Sequence, residues 1–389
     1  VFGVFFKPIA EEFAWNREAV SIAVLIRWVI VAVLVVPAGA LCDRCGPRKV
    51  LVPSFLLLAV SYMLTSTVTQ LWHFYLFQGL LLGVGTAGIG NSIMSSIATW
   101  HNKRRGLALG ITSAGAGASA IFLPPLAVSI ITGRGWEQAT IAMGVMILAI
   151  AVPASLFFKG PPAAGDAREV RPGNGTLDKA TGGSDHSLEA LRTIPRLLRN
   201  GQFLSLFVFF LVVNLGNSFV INHLVNLATD AGMKPVLAAT MMSVTGVAVV
   251  AGRLVFGYLA DRVGSKTDAV VSCSLIIIAL VLFALKAEPL TWIAAALIGL
   301  GSGVGLMLIS VMALEYFGEE SLATTSGSIL VGGFLGAAVG PWLGGFLFDL
   351  TASYLWALVL MALFIAAGTA KVLTMGPPAR ARDSIFKRY

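Results

Sequence analysis

The 389-residue chain is 57% hydrophobic and only 12% charged, with a formal net charge of +8 and a mean hydropathy of +0.86. Charged residues average about 25% in soluble domains, so this composition excludes a soluble globular enzyme and indicates a membrane protein. Its three cysteines, Cys42, Cys45 and Cys273, exclude a disulfide framework, and the Cys42–Cys45 pair has no second ligand pair nearby that would make a metal centre.

The opening stretch, VFGVFFKP, reads as the end of a helix, because eight residues are too few for a bilayer that needs about 20; either the helix start is missing from this numbering or the protein begins short. Apolar runs long enough to cross follow at 19–41, 49–69, 73–99, 105–132, 137–158, 203–227, 236–260, 267–286, 290–316, 322–347 and 352–375. With the truncated first helix they predict twelve spans, an all-α membrane protein. Residues 160–184, rich in Gly, Pro, Ala and charge, read as a flexible linker. The next segment, 187–200, reads either as a short amphipathic helix on the membrane surface or as a solvated connector.

Of the 27 Lys and Arg residues, 20 fall in one set of loops, five in the opposite set, and two, Arg27 and Arg253, inside spans. The positive-inside rule therefore predicts that the richer loops and both chain ends are cytoplasmic. Basic residues confined to short loops mark topology rather than a nucleic-acid footprint.

One loop occurs twice. Gly39, Asp43, Arg44, Gly46 and Arg48 after the second span match Gly257, Asp261, Arg262, Gly264 and Lys266 after the eighth, each pair 218 positions apart. A motif repeated at one offset in a long chain signals internal duplication. The predicted organisation is a six-helix bundle over 1–158, a cytoplasmic linker over 159–201, a second six-helix bundle over 202–376 and a tail over 377–389.

Arg253 stands alone in the interior of the eighth span. A guanidinium there costs roughly 2.5–3.5 kcal/mol on insertion scales, so its retention points to a polar cavity or a partner. Arg presents a planar two-pronged donor that suits a carboxylate. The competing readings are an acidic partner, or snorkelling to the interface beside Asp261, about 12 Å away along the helix. Asn214 and Asn217, three residues apart on one face of the seventh span, fit either a substrate hydroxyl or a bridge between helices. Asn91 in the fourth span lies at a similar depth to Arg253. Arg27 fits a structural or outer-gate role better than substrate contact. His223 is a candidate pH-sensing group, or simply a hydrogen-bonded interface histidine.

Asp43, Arg44, Asp261 and Arg262, with Arg104 and Arg105 opposite, are charged groups able to hold one side shut and release it, a gating role without substrate contact. Glycines crowd the fourth, fifth and eleventh spans, where small residues let helices approach and slide. The four histidines are scattered and the spans hold almost no carboxylate except Glu315, so no catalytic constellation and no metal site is expected.

Two six-helix halves with a doubled GxxxDRxGx(R/K) loop resemble the major facilitator superfamily. Several strings resemble its monocarboxylate and oxalate/formate transporter branch: GVFFKPIAEEF, KRRGLALGITSAGAG, Pro124-Pro125-Leu126, HLVNLATDAGM, GRLVFGYLADRVG and GGFLFDLTASY. The resemblance implies two pseudo-symmetric bundles and a substrate carboxylate held by Arg253. It also implies a small organic anion, possible proton coupling, no bound cofactor, and no partner beyond the lipid bilayer.

The chain departs from the branch in two places. The aspartate that animal lactate carriers place one turn before the arginine is Val249 here, and 322–347 lacks the second cation of the oxalate carrier. The expected function is therefore secondary transport of lactate- or pyruvate-like monocarboxylates by alternating access, by proton symport or exchange, as a monomer in the cell membrane. An oxalate/formate-type antiporter and a non-transporting sensor on the same fold are the alternatives.

Overall fold

The computed structural model describes residues 2–100, 105–158, 199–303, 305–317 and 322–376. In chain order the helices are α1 (Phe2–Glu12), α2 (Arg17–Cys45), α3 (Pro47–Thr65), α4 (71–100), α5 (Arg105–Arg134) and α6 (Trp136–Leu156). They continue as α7 (Gly201–Asp230), α8 (Pro235–Val263), α9 (Ser265–Ala284), α10 (288–317), α11 (Leu322–Thr351) and α12 (Leu355–Leu373). Eight of the described helices are long and apolar enough to cross a bilayer. With no water in hydrocarbon to satisfy backbone groups, a helix, which bonds them internally, is the element such runs must form.

Three predicted spans are built less simply than the hydropathy implied. The fourth contains a π-helical stretch, Tyr75–Leu81, and Ser61 of α3 donates to the Phe77 carbonyl within it at 2.7 Å. The sixth carries a second π stretch, Ile147–Ala151. The tenth is two pieces, Glu288–Ser302 and Gly305–Phe317.

The doubled loop is doubled in backbone as well. Gly46 and Gly264 sit at φ +84° and +83°, each between two helices. Only glycine adopts that conformation at no steric cost, which is why both copies need it. The predicted linker and tail lie outside the described residues, apart from Asn200, whose side chain accepts from the Gln202 and Phe203 amides and caps α7.

Helices 1–6 and 7–12 form two bundles joined along the α2–α11 and α5–α8 seams. Within the second bundle α7 and α11 come closest. A Cβ on Gly336 would lie 2.0 Å from the Leu211 carbonyl, and one on Gly340 would lie 2.1 Å from that of Leu215. Pro341 has no N–H to offer the Ala337 carbonyl one turn back. Ser218 of α7 donates to that carbonyl instead, at 2.8 Å. The glycine crowding of α11 is thus a packing device, with the proline's lost bond replaced from the neighbouring helix.

Candidate functional site

Arg253 lies half-buried on α8, where α7, α8 and the break in α10 converge. Small residues create this joint. A Cβ on Gly252 would stand 2.3 Å from the Leu300 carbonyl, and one on Gly303 would stand 2.6 Å from the Arg253 amide nitrogen. Thr245 donates across the same interface to the Ala295 carbonyl at 3.0 Å. α8 and α10 therefore touch backbone to backbone at the residue that carries the guanidinium.

The break places polar groups at the same level. Ser302, the last residue of the first α10 piece, contacts the Asn217 side-chain oxygen and the Ile298 carbonyl, each at 2.5 Å. Asn214 behaves differently. Its amide donates to the Phe210 carbonyl at 2.9 Å and packs toward Gly333 of α11. Of the polar groups predicted to line a site, Asn217 and Arg253 meet the α10 break, whereas Asn214 faces α11. Asn91 lies on α4, with its side chain outside the described residues.

Sequence reasoning missed Ser302 and the α10 break, although the spacing Gly299, Gly301, Gly303, Gly305 was a readable signal. Of the predicted gating groups, Arg44 is exposed. Arg104 and the side chains of Asp43, Arg105, Asp261 and Arg262 lie outside the described residues. Glu315 is engaged by the Ser265 hydroxyl. Arg27 sits over the rings of Phe2 and Trp28, at 5.5 and 5.8 Å, and Trp28 stacks on Phe334 of α11. Among the described residues, no three His, Cys, Asp or Glu side chains gather to hold a metal.

A second polar cluster, at the opposite end of the α2–α11 seam from the doubled loops, was not predicted. Arg17, the first residue of α2, grips Asp230, the last residue of α7, through both terminal nitrogens at 2.7 and 3.2 Å. It also donates to the Tyr354 hydroxyl at 2.7 Å and lies 3.7 Å over the Phe348 ring. Lys7 of α1 reaches the same Asp230 at 3.5 Å. Asp349, near the end of α11, accepts from the Arg17 and Glu18 amides at 3.1 and 2.6 Å. Asn16 makes no side-chain cap of its own, so the start of α2 is capped by the other bundle. Trp342 donates to Glu18 at 3.1 Å.

His223 closes the cluster from inside, fully buried, with one ring nitrogen 2.9 Å from the Tyr354 hydroxyl and the other 2.9 Å from the Pro341 carbonyl. Every contact from Arg17, Glu18 or Lys7 to α7, α11 or α12 crosses between bundles. Together they fasten the two halves at this end.

Comparison with known proteins adds three findings. Residues 1–329 match the sequence profile of the Major Facilitator Superfamily. The chain is 28% identical over 383 residues to rat monocarboxylate transporter 13, covering 96% of this chain and 84% of that one. It is 27% identical to human monocarboxylate transporter 11 over 400 residues, with 96% and 80% covered. Among solved structures, a variant of the nucleoside transporter NupG superposes with a TM-score of 0.75 at 13% identity, covering 96% of this chain and 94% of the other. That likeness concerns the fold.

Proposed function

The chain belongs to the Major Facilitator Superfamily, a multi-pass membrane transporter of a small-molecule substrate; from that premise we propose that its substrate is a small monocarboxylate of the lactate or pyruvate kind. Arg253 at the α8–α10 joint is the observation that carries the reading. It is the one cation within α8 between its first turn and the doubled loop, set where close-packed glycines bring α8 against α10 near the Asn217–Ser302 pair. The relatives' names, monocarboxylate transporters 13 and 11, support the same chemical class.

In this reading the bundles, 1–158 and 202–376 joined by 159–201, rock about a site that opens to each side in turn. Arg253 takes the carboxylate in a two-pronged, charge-assisted grip. Asn217 and Ser302 select the remainder of the molecule. The doubled loops, with Asp43, Arg44, Arg104, Arg105, Asp261 and Arg262, gate the cytoplasmic side. The protein works as a monomer in the cell membrane, both termini cytoplasmic, by proton symport or by exchange. The absence of Lys and Arg from α11 leaves one fixed charge for a monoanion, which separates this reading from a dianion carrier.

The test is uptake of labelled lactate, pyruvate, oxalate and formate into proteoliposomes, with and without a pH gradient, for the parent, Arg253→Lys and Arg253→Ala. Truncating one partner of a buried charge pair costs about 2–5 kcal/mol, so uptake should fall on the order of 100-fold in the alanine variant. Uptake at the parent rate in both variants sinks the assignment.

A further inference from the structure

The cluster at the Arg17 end contains a chain of hydrogen bonds whose two ends are fixed in direction. A guanidinium can only donate and a carbonyl oxygen can only accept. Arg17 therefore donates to the Tyr354 oxygen, and at the far end His223 Nε2 must carry a hydrogen for the Pro341 carbonyl. The Tyr354 hydroxyl, an ordinary phenol, keeps its proton in the pH range of interest and has one hydrogen to give. With Arg17 on one side of the oxygen, the neutral ring takes that hydrogen at His223 Nδ1. The chain then runs Arg17 to Tyr354 to His223 to Pro341, with the imidazole hydrogen on Nε2.

We propose that His223 is a proton-binding site governing the seam between the bundles: the neutral ring holds the Arg17 end shut and the protonated ring releases it. One proton taken from water onto Nδ1 turns the acceptor of the Tyr354 hydrogen into a donor. The Tyr354 oxygen then faces two cations, Arg17 at 2.7 Å and the imidazolium at 2.9 Å, and its own hydrogen loses its acceptor. Their mutual repulsion pulls against the Arg17–Asp230 grip, which ties the start of α2 to the end of α7.

The neighbouring helices offer the ring little that would stabilise the added charge. α1 presents the Phe6 ring at 4.9 Å and, further out, the cation Lys7. α2 presents Arg17, with Glu18 turned to Trp342. α11 presents the Pro341 carbonyl, with Asp349 occupied by the α2 amides. α12 presents Tyr354 across its first turn, and on α7 itself Asp230 is held by Arg17 and Lys7.

This inference supplies a proton partner for the transport cycle proposed above and in that sense rests on it, but its test uses no substrate. Ser21 is fully buried on the seam, its hydroxyl 2.8 Å from where a Cβ on Gly345 would lie. The reporter is Ser21→Cys in a Cys42→Ala, Cys45→Ser, Cys273→Ala background, purified in detergent and labelled with a hydrophilic maleimide. Rates are taken against a free-cysteine standard at each pH, which corrects for thiol ionisation.

If protonation of His223 releases the seam, corrected labelling should be roughly tenfold faster at pH 5.5 than at pH 7.5. Adding His223→Gln should abolish that dependence. Adding Tyr354→Phe should bring the pH 7.5 rate up to about the reporter's acid rate. The proposal is overturned if the reporter shows no acid acceleration, if His223→Gln keeps it, or if Tyr354→Phe labels at the slow rate. Should His223→Gln not elute as a monodisperse protein, the reporter and the Tyr354→Phe arm decide the matter together. Loss of carboxylate uptake specificity in the Arg253 variants would leave this result untouched, and a flat labelling profile would leave the Arg253 result untouched.

Discussion

Two arginines at helical positions in this chain are held in opposite ways. Arg17 is gripped by groups from the other bundle, namely a carboxylate on α7, a phenol before α12 and a ring on α11. The backbone that carries Arg253 is positioned within its own bundle, through glycines that set α8 against α10. A cation tied across a seam reports whether the seam is shut. A cation fixed by a rigid backbone joint keeps its place while the bundles move, which a binding group for a solute requires. In the proposed reading, motion belongs to the Arg17 end and recognition to the Arg253 joint.

The largest expected effect separates the two roles. Arg253→Ala should lower carboxylate uptake on the order of 100-fold, the weight of a lost charge-assisted grip. At the same time it should leave maleimide labelling at Ser21→Cys unchanged. A variant that accelerated labelling as much as it slowed uptake would erase the distinction.

The joint itself is tested next. Gly252→Ala places a methyl group 2.3 Å from the Leu300 carbonyl, and backbone cannot rotate away as a flexible side chain would. Overpacking of this kind costs about 1–3 kcal/mol. The thermal midpoint in detergent should drop by several degrees and uptake should fall with it, through a displaced Arg253. An unchanged midpoint would mean that α8 and α10 are free to separate.

How much of this was legible depends on sequence distance. The spans and the repeat follow from local patterns, because hydropathy acts within one helix and the doubled loop demands the same left-handed glycine at 46 and 264. Arg253 was legible because a charge within a hydrocarbon-length helix is conspicuous by itself. The Arg17 cluster was not. Its residues lie in short polar stretches at helix ends, where charge is ordinary, and its contacts link positions 213, 332 and 337 apart in sequence. The strings HLVNLATDAGM and GGFLFDLTASY hold His223, Asp230, Asp349 and Tyr354, yet only the packing of α7 against α11 shows that they meet. The α10 break fell between, since four glycines at alternate positions announce weakness in a helix without saying what lies opposite.

On the mobile side of the comparison, Arg17→Ala removes the two-pronged bond to Asp230, the bond to Tyr354 and the ring contact together. The pair is partly exposed, at 17% and 25% of the side chains, so its electrostatic share is screened and modest. The summed loss should still raise Ser21→Cys labelling at pH 7.5 roughly tenfold. Uptake should change in rate without being abolished. Arg17→Lys, which keeps the charge but not the fork, should fall between the two.

The smallest effect isolates the cap from the ion pair. Asp349 makes no salt bridge to the Arg17 side chain; it accepts from the first two amides of α2, where the helix dipole favours a negative charge. Asp349→Asn keeps an acceptor oxygen and loses the charge, and Asp349→Ala loses both. Labelling at Ser21→Cys should therefore rise by about twofold for the amide and about fivefold for alanine, in keeping with the known range of cap losses. The amide's effect should fade as salt is raised toward 1 M, because Asp349 is exposed and screening reaches it, whereas the alanine effect should persist. Equal labelling in both variants and the parent would mean that the start of α2 is held by the Arg17 side chain alone, and that the seam has one fastening at this end rather than two.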